Sequence, residues 1–551
     1  MRRLVKSDVL IRQVLFSVVH NRRVHTYNSS VKTFLKVLSL IVFVGLFLGT
    51  RIPRLGTDTV NSDEVLWHDR SLHFLNGIRT GKFKDTYQHY HPGVPLMWEF
   101  TLTAEILSRV KSVPISVIFN LSNYELLHIN TQLFLTVWLL LLSILIIFYL
   151  SKALNSWWLS LFAISILSIE PYYLGNARII HHDAQISLYV LLGITLVYLN
   201  VSRKLSFTQT VFAGLMLALA TLTKTIFFGA FLFSFFAGSF ICLLNQRWQK
   251  MFAYLLTLTL SFIFFYFLLF PAMWVQPRQT IVRIVTESFS VGEKEGHGQV
   301  FFGESTRNPG PFFYPILIYL KTSVFVLTGS LIFLIYILSD SLYKLRKRTL
   351  PVLSKIPFEI LSAIFYIGYF SAITYFSKKV DRYLIPIYPI FALTCVLGWY
   401  YFLKKKIYLV VIPIALFVYS VAYPLYTIFP HYLMYTTPVF GDSKKSNEII
   451  AQKLFGIGVF ELRDKIVQRF GYKAAIAASD YGPLWSIYPN GKVSNVLDTH
   501  PNYFKIMVLG PNKPFPESLN NETEYYFHYI DSVYINGLEF WRIYKKEINK
   551  L

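Results

Sequence analysis

Apolar runs of about twenty residues recur along this chain, and they constrain its fold more than any other feature. A run of that length just crosses the hydrocarbon core of a bilayer as an α-helix. In lipid a helix satisfies its own backbone, which an isolated strand cannot do. Such runs lie near 33–50, 128–150, 157–174, 184–200, 208–223, 225–244, 251–271, 316–338, 356–376, 383–402 and 407–427. They predict an all-α polytopic membrane protein with about eleven transmembrane helices. The runs 208–223 and 225–244 are close enough for one of them to be broken or re-entrant. A content of 54% hydrophobic residues, 17% of all residues being aromatic, agrees with this class.

Charge then orients the spans. The chain carries 53 Lys+Arg against 30 Asp+Glu, a net +23. In a soluble protein that excess would suggest a nucleic-acid partner. Here much of it falls in short loops, where it marks the cytoplasmic side and meets anionic lipid. Arg2, Arg3, Lys6, Arg12, Arg22, Arg23 and Lys32 keep the N-terminus inside. Lys152, Arg203-Lys204, Arg247 with Lys250, Lys344 with Arg346-Lys347-Arg348, and Lys404-Lys405-Lys406 mark the later inside loops. An odd number of spans puts the C-terminus outside. The first span lacks a small-residue cleavage site and reads as a signal anchor. Cys242 and Cys395 both sit in apolar runs and read as buried hydrophobes, with no disulfide or zinc framework.

Three regions follow: a basic cytoplasmic segment (1–32), a transmembrane domain (33–429) and an extracytoplasmic C-terminal α/β domain (430–551). Four segments share the outer face: a first loop at 51–127, a short connection holding His181-His182-Asp183, a loop at 272–315, and the tail. In the first loop, helical spacing of apolar residues from Asp63 to Ile78 predicts an interfacial helix capped by Ser62 and ended by Gly81. A second amphipathic stretch covers 95–109. In the tail, 443–470 reads as helix, while 473–479, 504–509 and 525–544 have strand-like content. Asn521-Glu522-Thr523 is a glycosylation sequon whose meaning depends on the organism.

Several outer residues have the chemistry of a site. Of Asp63-Glu64, one carboxylate suits removal of a proton from a hydroxyl while its neighbour tunes charge; the alternative is a pair that complements the dipole of a helix start. His181-His182-Asp183 could orient a phosphate or bind a metal. Neighbours on a helix point about 100° apart, so the three reach one ion only from a loop. The bland alternative is a helix cap flanked by interfacial histidines. Lys224, Lys378, Lys379 and Arg382 run against the usual inside bias of positive charge. A phosphate partner accounts for the cluster, and snorkelling to headgroups accounts for a single lysine.

In order and spacing these pieces resemble the lipid-carrier-dependent glycosyltransferases of the GT-C type, near the protein O-mannosyltransferase and lipid A aminoarabinose transferase group. The resemblance rests on Ser62-Asp63-Glu64, His91-Pro92-Gly93-Val94-Pro95, Glu170-Pro171, Gly175-Asn176-Ala177-Arg178 and His181-His182-Asp183-Ala184. It continues through Gly296-His297-Gly298, Pro309-Gly310-Pro311-Phe312-Phe313-Tyr314-Pro315 and Arg382-Tyr383-Leu384-Ile385-Pro386. It implies a polyprenyl-phosphate sugar as donor and an inverting single displacement onto a hydroxyl of a protein, lipid or glycan, at the outer face of a plasma membrane. On this pattern Asp63 is the base, Glu64 its partner and Asp183 the second acidic position. Lys224, Lys378, Lys379 and Arg382 are expected at the donor phosphate, and His91, Arg178, His181, His182 and His297 at the substrate. No cofactor is required, although His182, where a small polar residue is expected, leaves a divalent metal open. The tail lies beyond these motifs and is a candidate for choosing the acceptor.

Three rival readings belong to other classes, and the first, a non-catalytic receptor with the outer tail as its binding module, leaves Asp63-Glu64 and the basic cluster without a role. A flippase or transporter of lipid-linked sugars would show charged or proline-broken segments at mid-membrane and an internal repeat. A polysaccharide polymerase would leave the early acidic pair without a role.

Overall fold

The structure is a computed structural model that describes residues 29–203, 206–294, 298–347, 356–519 and 524–549. The basic stretch before residue 29, Lys204, the candidate His297, Arg348 and the sequon at 521–523 lie outside the described residues. The chain divides into two compact units, residues 1–48 and 49–551. In the first, a helix of 21 residues begins at Ser29 and runs to Gly49 at the boundary. At 1.5 Å per residue it is roughly 30 Å long, the thickness of a hydrocarbon core.

Among the described residues nine helices are long and apolar enough to cross a membrane, and a bent pair makes a tenth. The remaining apolar run is the 17-residue helix Phe207–Thr223, shorter than the others. This makes the chain a multi-pass membrane protein by helix composition. The helix Asp183–Ser202 is enclosed by its neighbours along almost its whole length, with 94% of its apolar window buried. The first residue of this innermost helix is therefore held by the whole bundle.

Two expected spans are interrupted. The run at 157–174 is two helices, Trp157–Ile169 and Pro171–Arg178, meeting at 69°. Pro171 excludes the helical conformation from the residue before it, and Glu170 is accordingly extended, with φ −60° and ψ 117°. The run at 316–338 breaks between Phe313–Lys321 and Val324–Arg346. The two breaks satisfy each other. The Ser323 amide and hydroxyl donate to the Glu170 carboxylate at 2.6 and 2.7 Å, so donors freed by one interruption find an acceptor presented by the other. Without water in reach, each would otherwise cost its full desolvation.

In the first loop, the expected helix spans Ser62–Arg79. Asn61 caps it in place of Ser62, its side chain accepting from the Glu64 amide at 2.8 Å. Thr80 closes the helix, followed by Gly81 at φ +69°, the left-handed stop that glycine favours. A second helix, Val94–Lys111, covers the other amphipathic stretch.

The tail holds a five-stranded mixed sheet of β3 (Ala475–Ala478), β4 (Lys492–Asn495), β5 (Ile506–Leu509), β6 (Tyr525–Ile535) and β7 (Leu538–Ile548). The strand order is β4-β3-β5-β7-β6. β3 is parallel to β4 and β5, and β7 is antiparallel to β5 and β6. The expected strand at 525–544 is in fact a hairpin, because Asn536-Gly537 takes positive φ at both residues and turns the chain. β4 and the helix Tyr481–Ile487 were not legible in the sequence. The expected helix at 443–470 is two helices, Ser443–Ile449 and Val459–Phe470. Between them the chain runs without helix past Gly456 and Gly458, both at positive φ. A small hairpin, β1 (Gln299–Phe301) and β2 (Glu304–Thr306), lies against the tail, the Phe302 amide donating to the Ile449 carbonyl at 2.7 Å.

Replacing Glu170 by leucine strands the Ser323 donors. The expected loss is about 1–3 kcal/mol for each buried donor left unpaired, read as a lowered thermal midpoint in detergent. Glu170→Gln, which keeps an acceptor, is expected to lose less.

Candidate functional site

The site grows from two helix starts. Asp63 stands in the first turn of Ser62–Arg79, and Asp183 opens the innermost helix. Arg382, at the beginning of the segment Asp381–Lys404, reaches both carboxylates. Its Nη2 donates to Asp63 Oδ2 at 2.5 Å, and its Nε lies 3.6 Å from Asp183 Oδ2. Lys224, between two helices, donates to the other oxygen, Asp183 Oδ1. His181 stands between the acids, with Nε2 3.4 Å from Asp63 Oδ2 and Nδ1 3.0 Å from Asp183 Oδ2. Two carboxylates and three nitrogen bases from four parts of the chain thus form one cluster.

Exposure separates the two acids. The Asp183 side chain is 1% exposed and that of Asp63 is 31% exposed, so Asp63 is the carboxylate a substrate can reach. Burial pushes its pKa up, but the Arg382 guanidinium and then His181 outweigh burial and hold it well below the usual carboxylate range. Asp63 is therefore ionised and ready to accept a hydrogen bond, and only weakly basic at rest. Burial, reinforced by His181 and Lys224, keeps His182 neutral; burial with Lys224 does the same for His91.

His181 and His182 precede the helix, in the loop geometry that a shared ligand requires. Together with Asp183 they offer ligand atoms within 4.8 Å of one another. His182 Nδ1 is buried without a hydrogen-bond partner, whereas His181 Nδ1 and Asp183 Oδ2 face each other at 3.0 Å. This donor set fits a divalent cation.

A cavity of about 610 Å³ adjoins the cluster. Lys224, Lys378, Tyr90, His91 and Tyr383 form its polar end; its length is walled by aromatic and aliphatic side chains such as Phe228, Phe262, Ile284 and Ile373. Lys378 Nζ donates to the Tyr90 hydroxyl at 3.1 Å, and Lys224 lies over the Tyr383 ring at 4.8 Å. A charged end and an apolar trough are the two halves of a site for an amphiphile.

Three expected site residues are placed elsewhere. Glu64 is fully buried and turns inward, 2.5 Å from His128 Nδ1, and accepts from the Tyr124 hydroxyl at 3.0 Å. Arg178 spends its guanidinium on the first loop. It donates to Asp58 Oδ2 at 3.0 Å and to the carbonyls of Thr50, Arg51 and Pro53 at 2.9, 2.9 and 3.0 Å. Lys379 is 1% exposed and donates to the carbonyls of Thr374 and Phe376 at 2.8 and 2.6 Å, closing the end of the helix Phe358–Tyr375. Each answers orphaned acceptors or a buried base nearby, a demand that residue type alone does not reveal.

Sequence reasoning missed Phe455, Ser62 in its actual role, and Asp480. The Arg382 guanidinium lies over the Phe455 ring at 4.9 Å, and the His181 ring is 6.1 Å from it. The Ser62 hydroxyl donates to Asp480. The signal was Gly456 and Gly458 inside a run read as helical.

No family model matches this sequence, and no curated protein matches it. Among solved structures the chain is similar to ArnT from Cupriavidus metallidurans bound to undecaprenyl phosphate, at 10% identity and TM-score 0.48, over 93% of this chain and 98% of that one. It is also similar to the Archaeoglobus fulgidus oligosaccharyltransferase in complex with Zn and sulfate, at 12% identity and TM-score 0.42, over 86% of this chain and 67% of that one. The archaeal AglB from the same organism, in complex with an inhibitory peptide and a dolichol-phosphate, aligns over 87% of this chain and 70% of its own, at 12% identity and TM-score 0.42. At these identities no residue role passes from one chain to another.

The two neighbouring lysines are expected to separate by assay. Lys378→Met should weaken binding of an anionic amphiphile in this cavity by about tenfold or more, the loss of a charge-assisted contact. Lys379→Met should leave that affinity within about twofold and lower the thermal midpoint, since its donors cap a helix.

Proposed function

We propose that this protein transfers a sugar from a polyprenyl-phosphate carrier to a hydroxyl acceptor at the membrane surface. The carrying observation is the continuity of the apolar cavity with a cationic end that abuts Asp183, Arg382 and the accessible Asp63. A polyprenyl phosphate has the same profile: a long tail that gains by burial and one phosphate that gains by pairing with lysine. The tail occupies the trough, the phosphate sits at Lys378 and Lys224, and the sugar projects toward Asp63.

In the transfer, the bond between the sugar's anomeric carbon and the phosphate oxygen breaks as the acceptor oxygen forms a new bond from the opposite face. Configuration inverts. The leaving phosphate gains negative charge, which Lys224, Lys378 and Arg382 stabilise in a site poor in water. The acceptor proton passes to Asp63. Because Asp63 is weakly basic at rest, it takes the proton late, when bonding to the anomeric carbon has made the hydroxyl acidic. The phosphate departs unprotonated, so no general acid is needed, in contrast to glycoside hydrolysis. His181 orients Asp63 by contact. His181, His182 and Asp183 would hold any divalent cation, which would supply further positive charge beside the phosphate.

The loop charges support a cluster outside the plasma membrane, with the N-terminus in the cytoplasm and the C-terminus outside. The acceptor is a protein, lipid or glycan hydroxyl, approaching from the side of Asp63 and the tail.

The test is transfer of radiolabelled sugar from a panel of polyprenyl-phosphate sugars in membranes. Asp63→Asn is expected to lose at least about a hundredfold in transfer, the range of a lost general base, with donor binding retained. Movement of lipid-linked sugar across the bilayer by wild type and variant alike, with no transfer by either, would assign the chain to the flippases instead.

A further inference from the structure

One carboxylate of the tail, Asp480, reaches the chain on both sides of the acidic site. Asp480, at the start of the helix Tyr481–Ile487, accepts the Ser62 hydroxyl with both oxygens, at 2.9 and 3.0 Å. Its Oδ2 also accepts the Gly456 amide at 3.0 Å. Ser62 precedes Asp63, and Gly456 follows Phe455, the ring beneath the Arg382 guanidinium. One side chain therefore hydrogen-bonds the chain next to Asp63 and the chain next to the ring under Arg382.

The surrounding geometry makes this junction rigid. Gly456 is at φ +65°, and a methyl group there would run into the Val60 carbonyl, so the two backbones approach as closely as glycine permits. Thr59 and Ile457 form an antiparallel bridge beside it. The Ile457 carbonyl accepts from Trp541 Nε1 at 2.8 Å, and Trp541 is fully buried in the core of the sheet. A continuous path runs from that core through Trp541, Ile457 and Gly456 to Asp480 and Ser62. Burial, and beyond it the charge of Asp63, push the Asp480 carboxyl above its usual range despite the two donors it accepts.

We propose that Asp480 is a positioning residue for transfer: through Ser62 and Gly456 it registers Asp63 against Arg382, and so makes the C-terminal sheet a working part of the site. It does not touch the reacting atoms. This rests on the transferase reading above for its kinetic consequence, and on geometry alone for its structural one.

The experiment uses the full chain in detergent, with Asp480→Ala, the shape-conserving Asp480→Asn, Ser62→Ala and the double variant Ser62→Ala/Asp480→Ala. Hydrogen exchange is expected to quicken at 59–66 and 453–458 in Asp480→Ala, while β3, β5 and β7 keep wild-type protection, which shows the sheet still folded. In transfer assays kcat is expected to fall roughly tenfold to a hundredfold, the scale of a misplaced reacting group. KM for the polyprenyl-phosphate sugar should stay within about twofold. The double variant should be no worse than the poorer single one, because both break one link. Asp480→Asn should retain part of the rate. Wild-type exchange in both segments, wild-type kcat, or multiplied losses in the double variant would each overturn the proposal. A wild type that transfers from no donor would refute the transferase reading, and hydrogen exchange would still decide whether Asp480 couples the two segments.

Discussion

Two carboxylates that share one guanidinium are the interaction on which the rest of this protein depends. Asp183 is buried at the head of the innermost helix and would be intolerable alone in that environment. Lys224 and Arg382 make it tolerable, and so bind the ends of three membrane segments together. Arg382 then extends the same compensation to Asp63, the one carboxylate left within reach of solvent. Because the charges are mutually satisfied, none can move without exposing another. That restraint holds the charged groups in one fixed register.

The broken helices have a related logic. A bundle of uninterrupted spans would present apolar surface at its centre. Breaks at Glu170-Pro171 and Thr322-Ser323 turn backbone donors inward, and the Glu170–Ser323 contacts absorb them. The second break follows Lys321, a buried residue whose Nζ donates to Gln452 of the tail at 3.2 Å. The tail is thus fastened to the helical bundle at more than one point.

Most of the architecture was legible because its physical cause is local. An apolar run long enough to span a bilayer has few alternatives, and the eleven runs are helical in the structure apart from the breaks in 157–174 and 316–338. Gly81 ended its helix as expected, since φ above zero is cheap only for glycine. The charged cluster was legible where charge was anomalous: Asp63, Asp183, Lys224 and Arg382, up to 319 residues apart, are brought together. It was illegible where identity misleads about direction. Glu64 and Lys379 are neighbours of site residues, yet each points the other way because adjacent side chains diverge. Arg178 carries a charge suited to phosphate and spends it on backbone carbonyls.

The sequence by itself determined the class of the protein, the number of apolar segments, the side of the bundle where polar chemistry gathers, and the residue types available there. All of these follow from composition within one run or one loop. Only the tertiary structure decided which charges face one another, that the tail's Phe455 lies against Arg382 and its Asp480 against Ser62, and that Lys224 and Lys378 line one cavity. The reason is that a hydrogen bond or ion pair between distant segments depends on a few ångströms of relative placement. That placement is set by the packing of the whole bundle, and no local pattern encodes it.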